Sequence, residues 1–129
     1  MWDHKDEWRK HGLDFLVHVT RHNGTADEYG RGPNQWAVYA YVYPKHPHFA
    51  KFDGQHMWQE AATMMPFHGG PSYLRWHIDN DGKPTSVQVG ADYDHLHDEH
   101  FTNYATKEDA WEVFQDAECL VEWLTERAK

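Results

Sequence analysis

The sequence has one cysteine, Cys119, which excludes an intrachain disulfide and any cysteine-based zinc cluster. A reducing, cytoplasmic setting is the simplest expectation from that usage. Long apolar runs are missing as well. Nothing approaches the roughly 18–20 residues of a membrane span, and the mean hydropathy is -0.94. The opening, Met1-Trp2-Asp3-His4-Lys5-Asp6-Glu7, is charged and reads as no secretory signal. Positive charge is scarce: 12 Lys and Arg stand against 21 Asp and Glu, for a net charge of -9. That sign disfavours a basic nucleic-acid groove, so direct nucleic-acid binding is not expected. The chain also lacks internal repeats, low-complexity tracts, a Gly-Lys-Ser/Thr phosphate loop and a G-x-S-x-G nucleophile elbow. Cys119 is flanked by Glu118 and Glu122, which disfavour a thiolate nucleophile.

The 129 residues fit one domain, large enough to bury a core without disulfide staples. Aromatic residues make up 16%, with seven Trp, seven Tyr and six Phe, which argues against disorder. Twelve histidines are the other excess; protonating all of them carries the net charge from -9 to about +3, so association is expected to depend on pH. The acidity is local. Residues 1–88 hold nine Lys and Arg against ten Asp and Glu, whereas residues 89–129 hold three against eleven.

Patterning gives the elements. Residues 1–12 read as a short N-terminal helix stopped by Gly12. Leu13, Phe15, Val17 and Val19 then alternate with Asp14, His18 and Thr20, the period of a half-buried strand. Residues 23–34, with three Gly, one Pro and two Asn from Asn23 to Asn34, read as a loop. Trp36, Val38, Ala40 and Val42 alternate with Ala37, Tyr39, Tyr41 and Tyr43, and Pro44 and Pro47 end that strand. Residues 55–65 fit a short helix or an irregular crossing segment. Leu74, Trp76 and Ile78 form a third alternation. Val87, Val89 and Ala91 form a fourth, across a hairpin turn at Asn80-Asp81-Gly82-Lys83-Pro84. Residues 106–128 read as a helix capped by Thr106, with Ala110, Val113, Phe114, Ala117, Leu120, Val121 and Leu124 on one stripe. About four strands, each with one apolar face, and one long amphipathic helix imply an α+β two-layer domain. The helix lies on one face of an antiparallel sheet. The polar face would then carry His18, Tyr39, Tyr41, Tyr43, Tyr73, Arg75, His77, Gln88 and Asp92. Such a face calls for a cover: a ligand, a second subunit, or the loops 44–70 and 93–105.

Three histidine clusters could carry chemistry. In Asp92-Tyr93-Asp94-His95-Leu96-His97-Asp98-Glu99-His100, imidazoles and carboxylates suit a divalent metal, with His95, His97 and Asp92 as the ligand set and His68 or His77 completing it. The competing reading is a polar loop with backbone-bonded histidines, and no metal or organic cofactor is called for. The run also resembles the H-x-H-x-D-H signature of metallo-β-lactamase-type hydrolases, but Glu99 replaces the signature Asp and no histidine follows His100 to supply the later ligands. His46-Pro47-His48 sits on a proline-fixed turn that would present its imidazoles. His68-Gly69-Gly70-Pro71-Ser72-Tyr73 has glycines that permit positive φ and could hold an anion on backbone N–H groups. On the C-terminal helix, Glu108, Glu112 and Asp116 form an acidic ridge. It is either a solvated face or a phosphate-mimicking surface for a basic protein groove.

Three of these pieces, in order, resemble a family of small bacteriophage and prophage proteins. They are Tyr43-Pro44-x-His46-Pro47, His68-Gly69-Gly70-x-Ser72-Tyr73 and Gly90-x-Asp92-x-x-His95-x-x-Asp98, followed by a C-terminal helix. The resemblance spans residues 36–125. It departs from the family pattern at Lys45, Ser72, Ala91 and His97, where Gly, Thr, Phe and Gly are usual. It brings no activity with it. It implies a viral accessory protein acting in the host bacterial cytoplasm, and such proteins commonly counter host defence.

The expectation is therefore a binding protein rather than an enzyme, taking a nucleotide-like immune signal. Tyr41, Tyr43 and Tyr73 would stack a base, and Arg75, His48 and His68 would meet phosphates. Asp92 and His95 would take ribose or base edges. The alternatives are an acidic inhibitor of a host defence protein, working through Glu108, Glu112 and Asp116, and a metal-dependent phosphodiesterase.

Overall fold

A computed structural model describes residues 7–24, 32–95 and 98–129. Five antiparallel strands form one sheet: β1 (Glu7–Gly12), β2 (Phe15–Asn23), β3 (Asn34–Val42), β4 (Tyr73–Ile78) and β5 (Pro84–Asp92), in the order β1-β2-β3-β5-β4. A four-residue helix, α1 (Glu60–Thr63), resolves the ambiguous 55–65 stretch, and α2 (Trp111–Arg127) is the long C-terminal helix. Two 3-10 turns, Pro47–Lys51 and Glu99–Asn103, lie in the long connections. None of the described helices is long and apolar enough to cross a membrane.

The α+β architecture follows the alternation. The register sets Val19 opposite Val38 and Val38 opposite Ala91, and Val17 opposite Ala40 and Ala40 opposite Val89. These residues share one face, and all are buried beneath α2 and its neighbours with Val113, Phe114, Ala117, Leu120 and Leu124. Trp8 stacks on Trp36 at 5.4 Å and meets Phe114 edge-on at 5.2 Å, closing the core at the β1 side. In the β4–β5 turn, the Asp79 carboxylate accepts the amides of Asp81 and Lys83, and Gly82 takes φ 82°.

Three expectations change. The first concerns the N-terminus. Within the described residues, 7–12 is an edge strand rather than the end of a helix; residues 1–6 of that expected helix lie outside them. Charged residues are typical of an edge, which must avoid pairing with other chains. Trp8 and Lys10 point to the helix side, where the Lys10 ammonium reaches Glu118 at 3.0 Å. Second, Leu13 is 68% exposed, because Leu13 and Asp14 form the two-residue turn between β1 and β2, with Asp14 at φ 63°. Third, α2 starts at Trp111; residues 106–110 form a turn in which the Thr106 hydroxyl accepts the Asp109 amide. Of the expected 23–34 loop, residues 25–31 lie outside the described residues, Asn23 ends β2 and Asn34 opens β3.

The described parts of the loops 44–70 and 93–105 contribute side chains to the core. Phe52, Ala61, Ala62 and Met65 from the first, and Tyr93 and Phe101 from the second, join the core on the helix side. Phe49 and Phe52 pack edge-on against Trp76. On the second face of the sheet Tyr39, Tyr41, Tyr73 and His77 are half-buried and Arg75 is exposed, while His18, Thr20, Ser86 and Gln88 are buried.

Candidate functional site

The open face is built in rows by the register. One row runs Arg9, His18, Tyr39, Gly90, Tyr73, and the next runs His11, Leu16, Tyr41, Gln88, Arg75. Tyr39 lies over Gly90, where a Cβ would stand 2.2 Å from its ring, and meets Tyr73 edge-on at 5.6 Å. Tyr41 approaches His77 at 5.6 Å, and the His77 Nε2 is 2.8 Å from the Gln88 side-chain oxygen. His18 sits 6.3 Å from both Tyr39 and Tyr41. Burial pushes the His18 pKa down, with the neighbouring Arg9 charge adding to it, so the ring is held neutral in the centre of the face. Its Nε2, like the Thr20 hydroxyl, makes no hydrogen bond among the described residues. Burial likewise raises the Tyr39 and Tyr41 hydroxyls, which stay protonated as donors.

At the Asp92 end the face meets a second feature. The His68 Nε2 lies 3.0 and 2.9 Å from the two carboxylate oxygens of Asp98. The Asp98 Oδ2 also accepts the His95 amide at 3.0 Å and stands 3.2 Å from the His95 Nδ1. Burial of Asp98 would raise its pKa, but the hydrogen bonds from His68 and from the His95 amide, with the His68 charge, hold it below the usual carboxylate value. The turn before β4 sets His68 in place, with Gly69 at φ 69° and Gly70 at φ 85°. A Cβ at Gly69 would come within 3.2 Å of the His95 ring, so the glycine gives that ring its space. His68 stacks on Tyr93 at 4.4 Å, and the Tyr93 hydroxyl donates to Asp116 on α2. The Asp92 Oδ1 is 3.8 Å from the His95 Nδ1 and so links this cluster to the open face. Beside it, a cleft of about 160 Å³ is lined by His22, Gln35, Ala37, Tyr39, Asp92 and Asp94 among others.

The residues expected from sequence separate into groups. Tyr41, Tyr73 and Arg75 share the open face; Tyr43 follows one residue past β3 and is half-buried. His68, Asp92 and His95 gather at its rim. The carboxylate that unites the two rings is Asp98, absent from the expected ligand set. Of the expected set, Asp92 and His95 stand 3.8 Å apart, and His97 lies outside the described residues. The Asp92-x-x-His95-x-x-Asp98 spacing was the available signal. His48 is a correction. The prolines fix its turn, but they turn both rings inward: the His48 Nε2 is 2.7 Å from the Ala61 carbonyl, and His46 bonds the Leu124 carbonyl at 2.9 Å. His48 is 1% exposed, and it packs on Phe52 and Trp123. Asp116 of the acidic ridge is engaged by Tyr93, while Glu112 is half-buried and Glu108 exposed.

Two segments singled out in the sequence, residues 68–73 and 90–98, therefore meet in space through their described residues. The Ser72 amide donates to the Gly90 carbonyl, the Asp92 amide donates to the Ser72 hydroxyl, and His68 and His95 share Asp98. Together the fold and site define an α+β protein with an aromatic, polar sheet face opposite its long helix and a histidine–carboxylate cluster at the rim of that face. No family model, curated protein or solved structure matches the chain.

Proposed function

We propose that the protein binds a small, planar, phosphorylated ligand of the nucleotide class on the open face of its sheet. One observation carries this reading: the face of the sheet away from α2 is aromatic and hydrogen-bonding rather than aliphatic. Tyr39, Tyr41 and Tyr73 offer ring faces and hydroxyls, and exposed Arg75 offers a planar donor fork suited to phosphate. Exposed aromatics on a sheet are a known platform for bases, because every base has a π-face to stack. The net charge of -9 is less of an obstacle than it first looks. On this face Arg9 and Arg75 stand against Glu7 and Asp92, with the imidazoles of His11, His18, His22 and His77 between them. In the setting that the phage-protein resemblance implies, the ligand would be a nucleotide-derived signal of host defence, sequestered by binding.

The test is native mass spectrometry of the protein purified from bacterial cells, followed by calorimetric titration with mononucleotides and cyclic dinucleotides. A retained mass of nucleotide size, or binding to a member of the panel that Tyr41→Ala and Arg75→Ala each weaken about tenfold or more, supports the reading. An empty protein that binds no member of the panel sinks it.

A further inference from the structure

The geometry points to a binding site for a divalent transition-metal ion, zinc first, formed by the His68 Nε2, the His95 Nδ1 and the Asp98 carboxylate. One ligand atom from each residue lies within 4.8 Å of the other two. In a tetrahedral zinc site with bonds of about 2.0–2.1 Å, neighbouring donor atoms stand roughly 3.3 Å apart. The pairs here, 2.9 Å for His68 with Asp98 and 3.2 Å for His95 with Asp98, are already near that spacing. Small ring movements would admit an ion without unfolding either loop. Two imidazoles and a carboxylate without a thiolate suit zinc and its first-row neighbours rather than calcium or magnesium.

The surroundings are those of a supported site. Metal ligands are normally oriented by outer partners. Here His68 is clamped on Tyr93, whose hydroxyl is tied to Asp116, and Asp98 is fixed by the His95 amide. Asp98 is 6% exposed, so an anionic carboxylate is kept in a largely dry position, where it needs positive charge beside it. His95 is exposed and Asp92 lies 3.8 Å beyond it, so the cluster opens towards the sheet face. Three protein ligands and one outward position match zinc sites that accept an exogenous ligand, whereas structural zinc sites close all four positions. The site stands independently of the nucleotide reading.

The experiment uses zinc alone as the probe. Protein stripped with chelator and dialysed is titrated with zinc chloride by calorimetry near neutral pH, and bound metal is counted by elemental analysis. The expected result is one equivalent, weakened at least tenfold by His95→Ala and by Asp98→Asn, and unchanged by His56→Ala, an exposed histidine in the connection before α1. Zinc should also raise the melting temperature of the parent protein and leave that of His95→Ala where it was. His95→Ala keeps the amide that holds Asp98, so it remains informative if Asp98→Asn fails to fold. Less than stoichiometric uptake overturns the proposal. So does uptake that His95→Ala leaves intact, since the ion would then sit on other histidines.

Discussion

Single residues decide how this molecule answers to acid. His18 and His48 are buried, and burial is the main cause of their lowered pKa; for His48 the bond to Ala61 opposes it without winning. Both therefore have a folded value below the unfolded value of about 6.5. The unfolded chain takes up protons that the folded chain refuses, so their contribution to stability is complete above about pH 6.5. It is lost as pH falls from there through the folded values. Asp98 is the opposite charge type with a similar consequence. Its lowered value stabilises the fold above the ordinary carboxylate range of about 4, and that contribution is lost only as pH falls below it. Thermal melts from pH 8 to pH 3 should show two declines, one beginning near pH 6.5 and one below about pH 4. Replacing His18 and His48 together by Gln should flatten the first and leave the second. A single-step profile, or an unchanged first decline in the double variant, would show that the buried imidazoles are not the cause.

At the scale of elements, the sheet is held by fit as much as by pairing. Tyr39 occupies the space above Gly90 that any side chain would claim. Gly90→Ala should cost about 1–3 kcal/mol in denaturant unfolding, by the ordinary penalty for overpacking. It should also weaken any ligand stacked on Tyr39. A neutral Gly90→Ala would mean that the tyrosine moves aside freely. The strands β2, β3, β4 and β5 were legible because both their faces are patterned, with Val17, Ala40 and Val89 against His18, Tyr39 and Gly90. The α2 stripe was legible for the same reason at a different period. By contrast β1 was not, since an edge strand with one apolar residue, Trp8, carries no periodicity; its position depends on the register with β2 and on Lys10 reaching Glu118. The rim cluster was half legible. His68 and His95 stood out as unusual residues, but their union through Asp98 joins turns about thirty residues apart, which no local pattern encodes. His48 misled because a proline-flanked histidine looks the same in sequence whether its ring faces solvent or a buried carbonyl.

Across the whole molecule the charge is divided. The C-terminal third is acidic, while the open face mixes arginine and imidazole with few carboxylates. The sequence pI is about 5.6, where net repulsion between copies disappears. Light scattering should therefore find the strongest self-association near that pH, relieved on either side and weakened by salt. A flat profile from pH 8 to pH 4.5 would mean that charge does not govern contact between copies.

The Trp8–Trp36 stack has an optical consequence. Two indoles 5.4 Å apart and inclined by 25° couple their excited states, so the pair absorbs circularly polarised light as one unit with a split band. One indole belongs to the edge strand and the other to the centre of the sheet. The couplet exists only while the edge is docked. The chain thus carries a built-in gauge of its own margin, readable without any label, which would register the first strand to peel away before the rest of the sheet gives up its structure.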